Sequence, residues 1–462
     1  MRIIEKLVED IFNDEYFKSL NKKCLLISAE NSFKKEIKTE LSPKELKDLL
    51  RFADILSNSK NSLARNKSYQ IVATLNQTYF NNKIYKTLSK AIFTKLGNFP
   101  AIDYLEKKNE NYATLPLLRE IEAESKRLIQ EAPNSNGLIF TDTQFELFNR
   151  LSNSVEFSFS GPTSMGKSFI IKSFIKKVIK NSPPENIVII VPTRALINQF
   201  FADLKNELNE LLDLYKYKIF INSNISENLS IERFNYIFIL TPERLLNYLS
   251  EEDNPPIGFL FIDEAHKLAS QKDSRSVTTY SAIEKTQKRF GNIKLYFSSP
   301  NVSNPEIFLK LFNRNVENIF RTNESPVSQN VFFVNLETKE VETYADNEAV
   351  QLKDILSHKI GSDLMDFVRF IGENKNNLIY CYSKRNTIDN AIEFSKSIEK
   401  EVLSVGGKHA IENIKDYRQP DYYLVEFLEK GIAYHYGKMP QLIRNLIVIV
   451  EQKEEIRYVC CT

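Results

Sequence analysis

The chain is predicted to be an α/β protein: two parallel-sheet domains, the second truncated at its C-terminus, preceded by a helical domain. Three observations carry this expectation. From residue 138 to about 325, apolar strand-like runs alternate with helical patterns, as in a parallel sheet with crossover helices. One of those runs, Val155-Glu156-Phe157-Ser158-Phe159, leads directly into a glycine loop and then a helix pattern. The alternation resumes after Ser325-Pro326-Val327.

At 462 residues the chain has room for about three domains. A 42% apolar and 26% charged composition is that of an ordinary globular protein. The net charge of +2 gives no global basic signal, so nucleic-acid contact would have to come from local groups. No apolar run approaches the roughly 18 residues of a membrane span, and the amphipathic start, Met1-Arg2-Ile3-Ile4-Glu5-Lys6-Leu7, does not suit a secretory signal. The four cysteines, Cys24, Cys381, Cys460 and Cys461, lack the spacing of a disulfide framework or zinc site. A cytoplasmic location and no membrane contact are expected.

Residues 1–132 form the expected helical domain. Ser42-Pro43-Lys44-Glu45 is a capping box with proline at the first helical position, and further helical patterns follow at 71–80, 85–96 and 115–129. No chemistry is visible there, so packing or docking of a protein partner is its expected role. Pro133-Asn134-Ser135-Asn136-Gly137 reads as a linker.

The first sheet domain, 133–325, is expected to use strands at 155–159, 187–191, 218–221, 236–240, 259–262 and 294–297. Polar or proline-bearing segments stand at their C-terminal ends, where open α/β sheets bind ligands. The second domain, 326–462, should place strands at 377–382, 431–435 and 455–461. The chain stops at Cys460-Cys461-Thr462, directly after a strand, which suggests a truncated domain.

The glycine loop reads Gly161-Pro162-Thr163-Ser164-Met165-Gly166-Lys167-Ser168, the G-x-x-x-x-G-K-S of a phosphate-binding loop in its strand–loop–helix setting. Its N–H groups and the following helix dipole suit phosphate oxygens. Lys167 would add a point charge, and the Ser168 hydroxyl could ligate Mg²⁺. Downstream, Phe261-Ile262-Asp263-Glu264-Ala265-His266 puts an acid pair at a strand end. Asp263 suits Mg²⁺ positioning, Glu264 could polarise the attacking water as general base, and His266 could link the site to a neighbouring loop.

Together with Val191-Pro192-Thr193-Arg194-Ala195-Leu196, Thr241-Pro242-Glu243-Arg244-Leu245-Leu246 and Ser298-Ser299-Pro300, these residues resemble the DExH-box superfamily 2 helicases. Gly431-Ile432-Ala433-Tyr434-His435-Tyr436-Gly437, followed by Arg444, resembles the Ski-like branch, with Tyr436 where that pattern has its second histidine. The likeness runs from about 140 to 462. It implies two RecA-like domains that close on ATP and Mg²⁺, and a single-stranded or tailed nucleic acid as partner, DNA slightly ahead of RNA.

The resemblance also assigns roles by position. Phe140–Gln144 looks like the adenine-reading segment, with Gln144 facing the base, although a plain capping box from Thr141 to Gln144 explains the same residues. Thr193, Arg194, Thr241, Glu243 and Arg244 resemble segments that track the nucleic-acid backbone, with surface ion pairs the alternative for the two arginines. Ser383 looks like a second-domain nucleic-acid contact, and a solvated turn reads almost as well. Ser298 and Ser299 stand where the family couples hydrolysis to strand movement, without its threonine. The arginine-bearing motif that would follow Thr462 is absent, so these residues alone are expected to hydrolyse ATP poorly. An ATP-dependent helicase or translocase is the leading expectation. An ATP-switched clamp or sensor is the alternative, and some bacterial anti-phage helicases share this layout.

Overall fold

A computed structural model describes residues 2–462 except 34–38, 110–111, 134, 136, 224–233, 270–274, 346–347, 354, 357–360, 362, 374, 397, 399–404, 418–422, 438 and 452–455. Asn134 and Asn136 of the expected linker, and Glu455 of the last expected strand, therefore lie outside the described residues. The chain divides into two compact units, Met1–Ile27 with Thr39–Gln329, and Ser28–Lys38 with Asn330–Thr462.

In the first unit seven helices come first: α1 (Arg2–Asn13), α2 (Glu15–Ser32, which runs on past this unit), α3 (Pro43–Ser57), α4 (Ser62–Tyr79), α5 (Lys83–Leu96), α6 (Phe99–Lys108) and α7 (Leu117–Ile129). The capping box at α3 forms as its sequence dictates: the Glu45 N–H donates to Ser42 Oγ at 3.3 Å, and the Ser42 N–H donates to Glu45 Oε2 at 2.9 Å. Leu46, Leu49, Leu50, Ala53 and Leu56 recur at helical spacing and are all buried, so α3 packs into the helical core with α4 and α5.

The chain then turns tightly. The Ala132 N–H donates to the Leu138 carbonyl and the Phe140 N–H to the Gln130 carbonyl, each at 2.8 Å. It enters α8 (Asp142–Ser152) and a seven-stranded parallel sheet. The strands are β1 (Glu156–Gly161), β2 (Asn186–Ile190), β3 (Tyr217–Phe220), β4 (Asn235–Leu240), β5 (Ile257–Ile262), β6 (Lys294–Pro300) and β7 (Ile319–Arg321), in the order β3-β4-β2-β5-β6-β1-β7. Crossovers run through α9 (Lys167–Asn181), α10 (Arg194–Leu214), α11 (Pro242–Ser250) and α12 (Arg275–Arg289). β2, β4 and β5 are buried on both faces, which is why they read as unbroken apolar runs rather than alternating ones. The six expected strands are present with their ends moved by a residue or more; β7, three residues long, was not foreseen.

Asp142 joins the helical region to the sheet. Its carboxylate accepts from Lys126 Nζ at 3.0 Å, from Gln130 Nε2 at 2.8 Å and from Arg65 Nη2 at 3.3 Å. Arg65, itself buried, also donates to the Ser57 and Leu96 carbonyls and pairs with Glu324 at 2.9 Å. Gly97 sits in the left-handed region at φ +67°, and a Cβ there would lie 2.4 Å from Asp142 Oδ1. Only glycine lets the two backbones approach this closely.

The second unit holds an antiparallel sheet of β8 (Phe332–Val334), β9 (Val341–Ala345) and β10 (Glu348–Leu352), ordered β10-β9-β8, and a parallel sheet of β11 (Asn377–Tyr380), β12 (Ile432–His435) and β13 (Tyr458–Cys461), ordered β11-β13-β12. The parallel sheet matches the expected second α/β domain. The antiparallel one was not anticipated from the sequence. Among the described residues no helix is long and apolar enough to cross a membrane.

Candidate active site

β1 ends at Gly161, the chain makes a short 3₁₀ turn over Thr163–Met165, and α9 begins at Lys167. Gly166 connects them at φ +80°, where a Cβ would come within 2.9 Å of Gln144 Nε2. This position tolerates only glycine for both reasons. Ser168 is exposed one residue into α9, where its hydroxyl could meet a cation.

Lys167 is buried at 6% exposure. Its ammonium donates to the Gly161 and Pro162 carbonyls at 3.0 Å each, folding over the loop that a phosphate would enter. Burial lowers its pKa, and the charges of Glu264 and Asp263 act against that shift. The phosphate loop and the acid pair, far apart in sequence, leave the same edge of the sheet, since β1 and β5 flank β6 in parallel.

Asp263 follows β5 immediately, with its N–H donating to the Ile190 carbonyl at 3.0 Å. Burial raises its carboxyl pKa, and the neighbouring Glu264 charge raises it further. The Ser298 hydroxyl faces the carboxylate and opposes the shift without completing a hydrogen bond of good geometry. A buried carboxylate beside a like charge is the environment that a divalent cation would relieve.

Glu264 adopts φ +55°, a conformation that costs a non-glycine residue about 1–2 kcal/mol. The kink turns the chain into the 3₁₀ segment Ala265–Ala269. His266 Nδ1 lies 3.3 Å from Glu264 Oε2 yet makes no hydrogen bond.

Gln144 has both ends engaged. Its Oε1 accepts from the Thr141 N–H at 2.9 Å, and its Nε2 donates to the Met165 carbonyl at 2.8 Å. The capping box of α8 and a brace on the phosphate loop are therefore one side chain. Ser164 Oγ lies 2.8 Å from Ser325 Oγ, and the Ser325 N–H donates to Asn66 Oδ1 at 3.0 Å. Neither Ser325 nor Asn66 belongs to a recognisable motif, and no sequence signal marked this link.

Ser298-Ser299-Pro300 lies inside β6, in register with Phe159, Ser160 and Gly161 of β1, and Ser299 Oγ donates to the Phe159 carbonyl at 3.4 Å. The segment is therefore a wall of the phosphate loop. At the ends of β2 and β4, Thr193 and Thr241 cap α10 and α11 by accepting from the Leu196 and Arg244 N–H groups at 3.3 and 3.4 Å. Arg194 is exposed, while Arg244 donates to the Ile221 carbonyl. Glu243 is exposed and pairs with Arg275 at 3.6 Å. In the second unit Ser383 caps the helix Lys384–Ser395 by accepting from the Asn386 N–H at 3.2 Å.

Residues 141–299 match the DEAD/DEAH box helicase family. The matched segment covers less than half of the chain. It takes in Gln144, the phosphate loop, the acid pair and the serines of β6. Anti-bacteriophage protein B of Escherichia coli (strain K12) is 24% identical to the chain over 392 residues, covering 82% of this chain and 46% of that protein. The chain thus spans about half the length of that relative. The DNA-bound DUF1998 helicase MrfA is similar in structure with a TM-score of 0.46 and 14% identity, over 72% of this chain and 44% of that one.

Replacing Lys167 by Ala would remove the positive charge from the phosphate loop. We expect nucleotide binding to weaken by about tenfold to a hundredfold, the value of a charge-assisted hydrogen bond. Titration with a fluorescent ATP analogue measures it, and unchanged affinity refutes the assignment.

Proposed function

We propose that this protein is an ATP-dependent helicase or translocase that works along a nucleic-acid strand. The observation that carries the reading is the sheet order: β1 and β5 both pair with β6 in parallel, so the phosphate loop after β1 and the acid pair after β5 leave the same edge of the sheet. The strand-end segments at 193–194 and 241–244 open from the same sheet, at the C-terminal ends of β2 and β4.

The roles follow from chemistry. Loop N–H groups and Lys167 would bind the ATP phosphates, and Ser168 and Asp263 would hold Mg²⁺, which when bound would supply positive charge to the phosphoryl oxygens. Glu264 accepts the proton of the attacking water, with His266 at its side. Gln144 sets the loop and borders the adenine position. Ser298 and Ser299 transmit changes at the loop to the sheet. Thr193, Arg194, Thr241, Glu243, Arg244 and Ser383 face the strand, where hydroxyls and helix N-termini supply backbone contacts without sequence readout. We place the helical domain at 1–132 and the two sheet domains at 133–325 and 326–462, with a docking role for the first.

The segment at 431–437 favours the Ski-like branch. Similarity to a protein named for action against bacteriophage supports a role in phage defence. The four free cysteines suit the reducing cytoplasm. The absence of the family's threonine from the β6 segment keeps a second reading in play, an ATP-switched clamp that grips nucleic acid without separating strands.

The test is ATP turnover with matched single-stranded DNA and RNA, followed by unwinding of a tailed duplex. Stimulation with unwinding supports the helicase, and stimulation without unwinding supports the clamp. Turnover indifferent to either nucleic acid refutes both.

A further inference from the structure

Arg275, the first residue of α12, reaches two different strand ends. Its Nη1 donates to the Pro192 carbonyl at 2.9 Å, and its Nε stands 3.6 Å from Glu243 Oε1. Pro192 precedes Thr193 at the end of β2, and Glu243 opens α11 after β4. These are the two segments assigned above to the nucleic-acid backbone. A planar guanidinium can hold two partners in different directions at once, which a lysine ammonium does less rigidly.

The same side chain borders a small cavity of about 30 Å³ whose other walls include Pro192, Pro242, Asp263, Glu264 and Lys267, room for about one water molecule. α12, which Arg275 opens, packs against the 3₁₀ segment Ala265–Ala269 that follows Glu264. Arg275 is itself more than half exposed, so a displacement there reaches the acid pair through α12 and that segment.

We infer that Arg275 is a positioning residue that couples nucleic-acid occupancy of the β2 and β4 ends to the placement of the acid pair Asp263–Glu264. This rests on the helicase reading. A strand settling on the two segments would draw Pro192 and Glu243 into a fixed spacing. Arg275 would follow both and press on the turn that carries Glu264.

The experiment compares the unsubstituted protein with Arg275→Ala and Arg275→Lys, measuring ATP turnover without nucleic acid and across a titration of single-stranded DNA and RNA. For Arg275→Ala we expect unstimulated turnover to be preserved. Maximal stimulation should fall by about fivefold or more, within the usual range of coupling between two sites. The concentration giving half-maximal stimulation should change by less than about twofold, and Arg275→Lys should recover part of the loss. Full stimulation in Arg275→Ala overturns the inference while leaving the helicase reading intact. So does a loss of strand affinity in step with stimulation, which would make Arg275 a strand contact. A fall in unstimulated turnover also overturns it, by showing a structural role. An unsubstituted protein that no strand stimulates overturns the helicase reading and the inference with it.

Discussion

Glu264→Gln is expected to bind ATP normally and to hydrolyse it about a hundred to ten thousand times more slowly. The amide keeps the size of the carboxylate and cannot accept a proton, and removing a positioned general base typically has that effect. The backbone at φ +55° is strained equally for both residues, so the comparison isolates the chemistry. The substitution also removes a negative charge that raises the Asp263 pKa. Asp263 in the variant therefore stays ionised to lower pH. Steady-state phosphate release at saturating nucleic acid measures the loss, with nucleotide affinity measured alongside. Turnover within a few-fold of the original would remove Glu264 from the role of base.

Arg65→Ala is expected to destabilise the first unit by about 3–5 kcal/mol, the usual result of breaking a buried ion pair from one side. The Arg65 side chain is 11% exposed and Glu324 16%. Without the guanidinium, Glu324 loses its cation, while the Ser57 and Leu96 carbonyls lose their shared donor. Asp142 suffers less, since Lys126 and Gln130 remain. Arg65→Lys should recover little, because one ammonium cannot span carbonyls and carboxylates lying in different directions. Guanidinium denaturation followed by fluorescence reads the effect, and an unchanged midpoint would show that the ion pair contributes nothing.

What the sequence made legible was local. The phosphate loop and the acid pair announce themselves because a tight turn, a helix start and a strand end each need particular residue types at fixed spacing. The parallel sheet was legible because strands buried on both faces must be continuously apolar. The remaining contacts form across distance. Arg65 meets Glu324, and Ser164 meets Ser325, only after folding, and no pattern in either neighbourhood encodes the pairing. Phe332–Val334 and Ile319–Arg321 are three residues each, too short to show alternation. Gln144 was read in two ways, as a cap and as a site residue; the capping bond is present, and the same side chain braces the phosphate loop.

The close approach at Gly97 bears on how the protein can be divided. A piece beginning near residue 138 would keep the phosphate loop and Asp142 but lose Arg65, Lys126 and Gln130 from around that carboxylate. The start of α8, which holds Gln144 against Met165, would then rest on a desolvated surface suddenly opened to water. Heritable exchange and proteolytic trimming meet the same restriction: the smallest portion that keeps the phosphate loop supported begins among the helices, well before the loop itself.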